Sequence, residues 1–256
     1  MFSIGADPEF FLTEAGTVVS AEGKIGGTKE EPKLFDDRGF FMQEDNVMVE
    51  FNIPVSFSKQ EFIDNIEFAK EYLTKHAELI GCGVKYSASE TFTDLQLSTE
   101  QAKYFGCEPD KNVYTKSKNV PVCNMGNIRC AGGHVHVGYE FIAEEEKELF
   151  IKALDVYLGL DSVLLDRDTR RREFYGKAGS YRDTGYGIEY RVLSNFWLNS
   201  KDYIQWVYDG VAKAINNMYI IDFDTHQQQI IEAINEGSIE KAIKVKETII
   251  TELETV

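Results

Sequence analysis

Four stretches of the chain alternate residues that can do chemistry with residues that want a core. In Gly132-Gly133-His134-Val135-His136-Val137-Gly138, an extended backbone puts His134 and His136 on one side and Val135 and Val137 on the other. Gly187-Ile188-Glu189-Tyr190-Arg191 sets Glu189 and Arg191 against Ile188, Tyr190 and Val192. Near the N-terminus, Asp7-Pro8-Glu9-Phe10 projects Asp7 and Glu9 together, and Met48–Ile53 places Glu50 and Asn52 opposite Val49, Phe51 and Ile53. A strand reaching back through Asn46 would give Glu44 the parity of Glu50. A half-buried strand seldom spends alternate positions on His, or on a Glu/Arg pair, without a ligand to satisfy. Four such strands predict one sheet with a carboxylate-rich, His-containing concave side.

Carboxylate oxygens with one imidazole suit Mg²⁺ or Mn²⁺ better than zinc, because hard cations prefer oxygen. Only four His exist, and His76 and His226 fall in or near helices. Arg170-Arg171-Arg172, Lys177, Arg182 and Arg191 supply the complementary charge, and guanidinium groups hold phosphate oxygens bidentately. Arg170–Arg172 also reads as a solvated run paired with Asp166, Asp168 and Glu173. No Ser or Cys nucleophile motif accompanies these groups. Metals plus arginines then point to phosphoryl transfer, which runs on positioning and charge neutralisation.

The elements that must position this face are those of an ordinary soluble globular chain: 256 residues, 43% apolar and 27% charged. No apolar run approaches the ~20 residues needed to cross a bilayer, and the N-terminus lacks the basic and apolar regions of a signal peptide, so a cytoplasmic location is expected. The net charge of −16 suits a metal site and weighs against direct binding of duplex DNA. Cys82, Cys107, Cys123 and Cys130 show no C-x-x-C spacing and read as reduced structural thiols. Residues 1–55 read as strands and turns. Gly23–Lys29 fails the Walker order and spacing, leaving a turn or flexible active-site loop.

Ser58 and Glu61 form a capping box, followed by Phe62, Ile66, Ala69, Leu73, Ala77 and Ile80 at helical spacing and a stop at Gly81. Ser98–Gln101 opens a shorter helix, and residues 106–131 read as irregular. Further helices are expected over roughly 142–160, after Ser200, and as a pair from Thr225 split at Gly237, with Ile230, Ile234, Ile239 and Ile243 inward. With no repeat or linker, one α+β domain over residues 1–256 is the simplest account.

These strands resemble the phage-encoded COOH–NH2 ligases (amidoligases, type 2), a branch of the glutamine synthetase and glutamate–cysteine ligase superfamily. The resemblance lies in Gly5–Phe10, Gly26-Gly27-Thr28-Lys29, and Gln43–Asn46 running into Glu50-Phe51-Asn52. It continues in Phe105–Asp110, the Gly-Gly-His-Val-His-Val-Gly run and Tyr186–Trp197, so it covers most of residues 5–197; the helices of 198–256 carry none of it. It implies an antiparallel, partly open β-barrel of glutamine synthetase-like catalytic type with helices on the convex side. It also implies ATP, two or three divalent ions (Mg²⁺ or Mn²⁺), and a reaction in which ATP phosphorylates a carboxylate and an amine displaces the phosphate. By the same resemblance the metal ligands are Glu9 and Asp7, Glu50 and Glu44, His134 and Glu189. His136 faces ATP or its phosphates, and Arg191 the transferred phosphoryl group or the substrate carboxylate; the cationic pattern adds Lys177, Arg171 and Arg172 as nucleotide contacts and Arg182 as a catalytic residue. The Asp-Pro-Glu strand departs from the superfamily's usual Glu-x-Glu, which leaves Asp7 less firmly assigned than Glu9. The partners implied are a small-molecule or peptide carboxylate and an amine.

Two other readings compete. A metal-dependent hydrolase or dioxygenase on a cupin-like barrel explains His134 and His136 but leaves the arginines and surplus carboxylates idle. A non-catalytic phage protein that kept the fold would have no need of Glu9, Glu50, His134, Glu189 and Arg191 together.

Overall fold

The computed structural model describes residues 2–103, 110–120 and 125–254. Its first strands are β1 (Ser3–Ala6), β2 (Glu9–Glu14), β3 (Thr17–Val19), β4 (Lys33–Asp36), β5 (Phe40–Asp45) and β6 (Met48–Asn52). Helix α1 (Lys59–Leu79) leads to β7 (Gly83–Lys85), β8 (Ser89–Thr91) and a short α2 (Glu100–Lys103). Then come β9 (Lys111–Asn112), β10 (Ser117–Lys118), β11 (Ile128–Cys130) and β12 (Val135–Gly138). Helix α3 (Glu144–Leu154) passes through a π turn, Asp155–Gly159, into α4 (Leu160–Leu165), followed by α5 (Arg170–Phe174), β13 (Ser180–Thr184) and β14 (Gly187–Tyr190). A 3-10 turn, Asn195–Asn199, precedes α6 (Lys201–Asn217), α7 (Phe223–Glu236) and α8 (Ile239–Leu253).

All strand pairs are antiparallel. One six-stranded sheet runs β1-β12-β14-β13-β9-β10, and a second runs β3-β2-β6-β5-β4 with β7 also on β2. The two are stitched where the chain passes from β1 to β2. Ile4 bridges Ser56, and the N–H groups of Glu9, Phe51 and Ile53 donate to Gly132 (2.9 Å), Pro8 (3.2 Å) and Ala6 (3.3 Å). The result is the expected α+β class, an antiparallel, partly open barrel. The alternation predicted for the site strands holds: Val135, Val137, Ile188 and Tyr190 are buried in one core with Phe150, Leu154 and Ile230 from the helices.

Ser58 accepts from Glu61 N at 3.2 Å and Glu61 accepts from Phe57 N at 2.7 Å, so α1 starts at its predicted box. The helix expected over 142–160 continues to Leu165, because the π turn absorbs an extra residue without breaking the apolar stripe. On α8 the expected inward pair is corrected. Ile239 and Ile243 are 55% and 42% exposed, whereas Ala242, Val245 and Ile249 are buried. The helix has two interleaved apolar faces, and the face with the small Ala242 packs against α4 and α7. Cys82 and Cys130 are buried free thiols; Cys107, Cys123 and residues 105–109 of the resemblance lie outside the described residues. No described helix is long and apolar enough to cross a membrane.

Candidate active site

Asp7-Pro8 is the seam between the sheets, so Asp7 and Glu9 belong to different clusters rather than to one strand. Register aligns Gly5, His136, Glu189 and Arg182 in one row across β1, β12, β14 and β13. Asp7 Oδ1 lies 3.0 Å from His136 Nε2 and 3.6 Å from His134 Nδ1. His134 Nδ1 lies 3.4 Å from Glu189 Oε1 and accepts from Arg191 Nη1 at 3.2 Å. Arg182 Nη1 donates to Glu189 Oε2 at 3.0 Å, and Arg191 donates to Oε1. Arg191 Nε also pairs with Asp110. Ligand-atom geometry groups Asp7, His136 and Glu189 as one possible ion site.

The second cluster joins Glu9, Asp45 and Glu50. Glu9 stands directly opposite Glu50 across β2 and β6, and its Oε2 accepts from Gly132 N at 2.6 Å. Gln43 donates to Glu50 at 3.0 Å. Asn195 fixes this strand from behind, its side-chain amide donating to Glu9 O at 2.7 Å. The Gly-Gly pair before His134 is a space requirement. A Cβ on Gly132 would meet His134 Nε2 at 2.5 Å, and one on Gly133 would meet Ser194 O at 2.3 Å and Trp197 Nε1 at 2.5 Å.

Electrostatics and orphaned atoms fit a cation. Burial, then the charge of Asp45, raises the Glu9 carboxyl to about 8. Burial followed by the charges of Asp7, Glu9, Asp45 and Glu189 pushes Glu50 well up, and burial raises Asp45. Burial, with Arg191 and Arg171 nearby, drives His134 well below its ordinary value. For His136 burial pulls down, but Asp7 and Glu189 outweigh it and the shift is upward. Asp7 Oδ1 and His136 Nε2 are buried and, despite their 3.0 Å separation, share no aligned hydrogen bond. Carboxylates crowded together in a buried setting fit a hard divalent ion in each cluster.

Not every expected residue joins this face. The Glu44 carboxylate turns away and accepts from the backbone of Gly23 (2.8 Å), Ile25 (2.9 Å) and Gly26 (2.7 Å), fixing the glycine-rich loop. Glu44 does not share the parity of Glu50, because the chain makes a hairpin at Asn46, whose φ of 57° breaks the strand. The register pairs Gln43 with Glu50 and Asp45 with Met48, so Asp45 takes the place expected of Glu44. Arg171 donates to Val192 O at 2.9 Å, Arg172 to Ser162 Oγ at 2.8 Å, and Lys177 to Arg172 O at 2.5 Å. These three brace backbone around Arg191 and α5, and their expected nucleotide contacts are revised accordingly. Of the Arg run, Arg170 alone is exposed, paired with Asp168 at 3.1 Å. Asp45 and Asp110 join the site in addition to the expected residues, and the Asp-Asn turn is the sequence signal for the first.

Two hollows lie side by side, the smaller of them at His136. The inner one, ≈ 380 Å³, is lined by Gly5, Asn52, His136 and Tyr186. The outer one, ≈ 840 Å³, shares Ser3, Gly138 and Tyr186 with it and adds Phe57, Tyr139, Phe141, Lys147 and Asp183. Tyr186 Oη sits 2.5 Å from His136 Nδ1 at their junction.

An antiparallel, partly open barrel with an acidic face flanked by guanidinium groups is the class of protein that fold and site define. Residues 92–256 match the family described as Phage phiEco32-like COOH.NH2 ligase-type 2, and the chain belongs to that family. The matched stretch contains His134, His136, Glu189 and Arg191; Asp7, Glu9, Asp45 and Glu50 precede it. No curated protein matches the sequence. Among solved structures, one described as "Apo GmaS without ligand" is similar at a TM-score of 0.46 and 11% identity, over 100% of this chain and 70% of that chain. Another, "GmaS/ADP complex-Conformation 1", gives 0.44 and 12%, over 99% of this chain and 69% of that chain.

Proposed function

We propose that the protein is an ATP- and Mg²⁺- or Mn²⁺-dependent carboxylate–amine ligase that works through an acyl phosphate. The observation that carries this reading is the meeting of two carboxylate clusters with Arg182 and Arg191 on one concave face. Asp7, His136 and Glu189, with His134 alongside, would hold one ion, and Glu9, Asp45 and Glu50 a second. Such ions neutralise charge on the transferred phosphoryl oxygens. The hollows beside His136 would take a nucleotide, with the exposed Tyr186 ring on their shared rim available to a base. His136 and Arg182 would meet its phosphates.

A substrate carboxylate oxygen then attacks the γ-phosphorus and ADP leaves. The fixed Arg191 guanidinium offsets the negative charge that builds on the equatorial oxygens, in a buried setting where it acts strongly. An amine attacks the acyl carbon, and phosphate departs as the amide forms. A small-molecule or peptide acid and an amine are the substrates this chemistry needs. A cupin-like hydrolase would leave Glu9, Asp45 and Glu50 without a task.

Divalent-ion-dependent ADP release, screened over amino acids, polyamines, nucleotides and cell-wall peptides, identifies the substrates. With the productive pair, ¹⁸O in the carboxylate is expected in the released phosphate. Unlabelled phosphate from a reaction that makes amide would exclude the acyl phosphate, and AMP with pyrophosphate would indicate adenylation.

A further inference from the structure

Glu189 is 2% exposed at its side chain and already carries a guanidinium on each oxygen, Arg191 on Oε1 and Arg182 on Oε2. Its carboxylate is also one of the three groups that an ion between Asp7 and His136 would use. The two arginines are not equivalent. Arg191 is 6% exposed and tied to Asp110 on its other edge. Arg182 is 34% exposed, on the neighbouring strand directly opposite Glu189.

We infer that Arg182 is a built-in counter-ion that competes with the divalent ion for Glu189 and is released toward solvent when the ion binds. The inference rests on the ligase reading only in taking Asp7, His136 and Glu189 as ion ligands. A dication and a guanidinium on one carboxylate repel each other at short range, and water screens them poorly beside a buried group. Arg191 has no room to yield, whereas Arg182 has solvent on one side. Its release leaves a free planar fork beside the ion, suited to phosphate oxygens. Ion binding therefore comes before tight phosphate binding, and Arg182 links the two. A purely structural ion pair would behave in the opposite way, since its loss would loosen β14 and weaken the ion.

The test is Mn²⁺ binding, by calorimetry and by electron paramagnetic resonance, to the full chain without nucleotide. Arg182→Gln and Arg182→Met are expected to bind Mn²⁺ tighter than the unsubstituted protein, by about fivefold, the size of a partly exposed ion pair. In the unsubstituted chain, saturating Mn²⁺ is expected to speed phenylglyoxal modification of Arg182, read by peptide mass, while Arg191 stays slow. The second measurement needs no variant to fold. Unchanged or weaker Mn²⁺ affinity in folded Arg182 variants, or unchanged or slower Arg182 labelling, overturns the competition. If Glu189→Gln binds Mn²⁺ as well as the unsubstituted chain, the ion assignment itself fails and the inference fails with it.

Discussion

Glu44 and Asp45 are chain neighbours whose carboxylates do opposite jobs. Glu44 closes a loop through three backbone N–H groups, and Asp45 faces Glu9 and Glu50. Asp45→Asn is therefore expected to weaken Mn²⁺ binding about tenfold or more, on the scale of losing an ion's supporting groups, with little change in melting temperature. Glu44→Gln should do the reverse, keeping the ion affinity and lowering Tm by roughly 2–4 °C for each kcal/mol that the loop bonds contribute. Isothermal titration and calorimetric melting of the two variants separate the roles, and equal ion affinities would return Asp45 to the surface acids. At Arg191, Lys keeps the charge and loses the planar fork that spans Glu189 and Asp110, so Arg191→Lys should cost on the order of 10²-fold in kcat with a smaller change in ATP affinity. Steady-state kinetics checks this, and a variant within a few-fold of the parent would remove Arg191 from the chemistry. Side-chain parity made His134, His136, Glu189 and Arg191 legible because each pair rides one strand end. It could not separate Glu44 from Asp45, since a tight hairpin resets the parity and Asn46 alone hints at it. Nor could it show that Arg171 and Arg172 spend their forks on backbone and hydroxyl groups.

The elements behind the site store a second polar network. On the face of β14 opposite Glu189 and Arg191, Tyr190 donates to Asp155 Oδ1 at 2.6 Å, inside the core and within the π turn. Gly159 makes the room: a Cβ there would lie 2.7 Å from Ile234 Cδ1 and 3.0 Å from Tyr190 Oη. Burial pushes the Asp155 carboxyl up to about 7, against the bond from Tyr190 and the charge of Arg172, which lower it. A raised acid contributes stability that is full below its ordinary value of 3.8 and is lost as pH rises through about 7. The Tm advantage of the unsubstituted chain over Asp155→Asn should therefore shrink as pH climbs across that window. An advantage that is constant or grows with pH would show that Asp155 folds in its charged form. Helix periodicity in the sequence could announce α3 and α4 but not the π turn between them, because one inserted residue leaves the apolar stripe continuous. The same blindness affected α8, where isoleucines mark one face and the tighter-packing alanine face is the one buried.

Across the whole molecule, the division of labour follows the seam at Asp7-Pro8. One sheet brings His136, Glu189 and the arginines; the other brings Glu9, Asp45 and Glu50. The alternating strands made the concave acidic face foreseeable from sequence. That Asp7 and Glu9 serve different clusters was not, because the crossing between sheets depends on pairings with β12 and β6, far away in the chain. With a net charge of −16, the molecule gathers cations readily, and its binding of Mn²⁺ should weaken as ionic strength rises. The central claim is that this face holds two ions beside a nucleotide. Anomalous diffraction from crystals grown with Mn²⁺ and a non-hydrolysable ATP analogue addresses it directly. The account predicts one peak among Asp7, His136 and Glu189, a second among Glu9, Asp45 and Glu50, and the analogue's terminal phosphate within reach of both. Well-ordered crystals showing the analogue elsewhere, or either carboxylate cluster without its ion at saturating Mn²⁺, would contradict it.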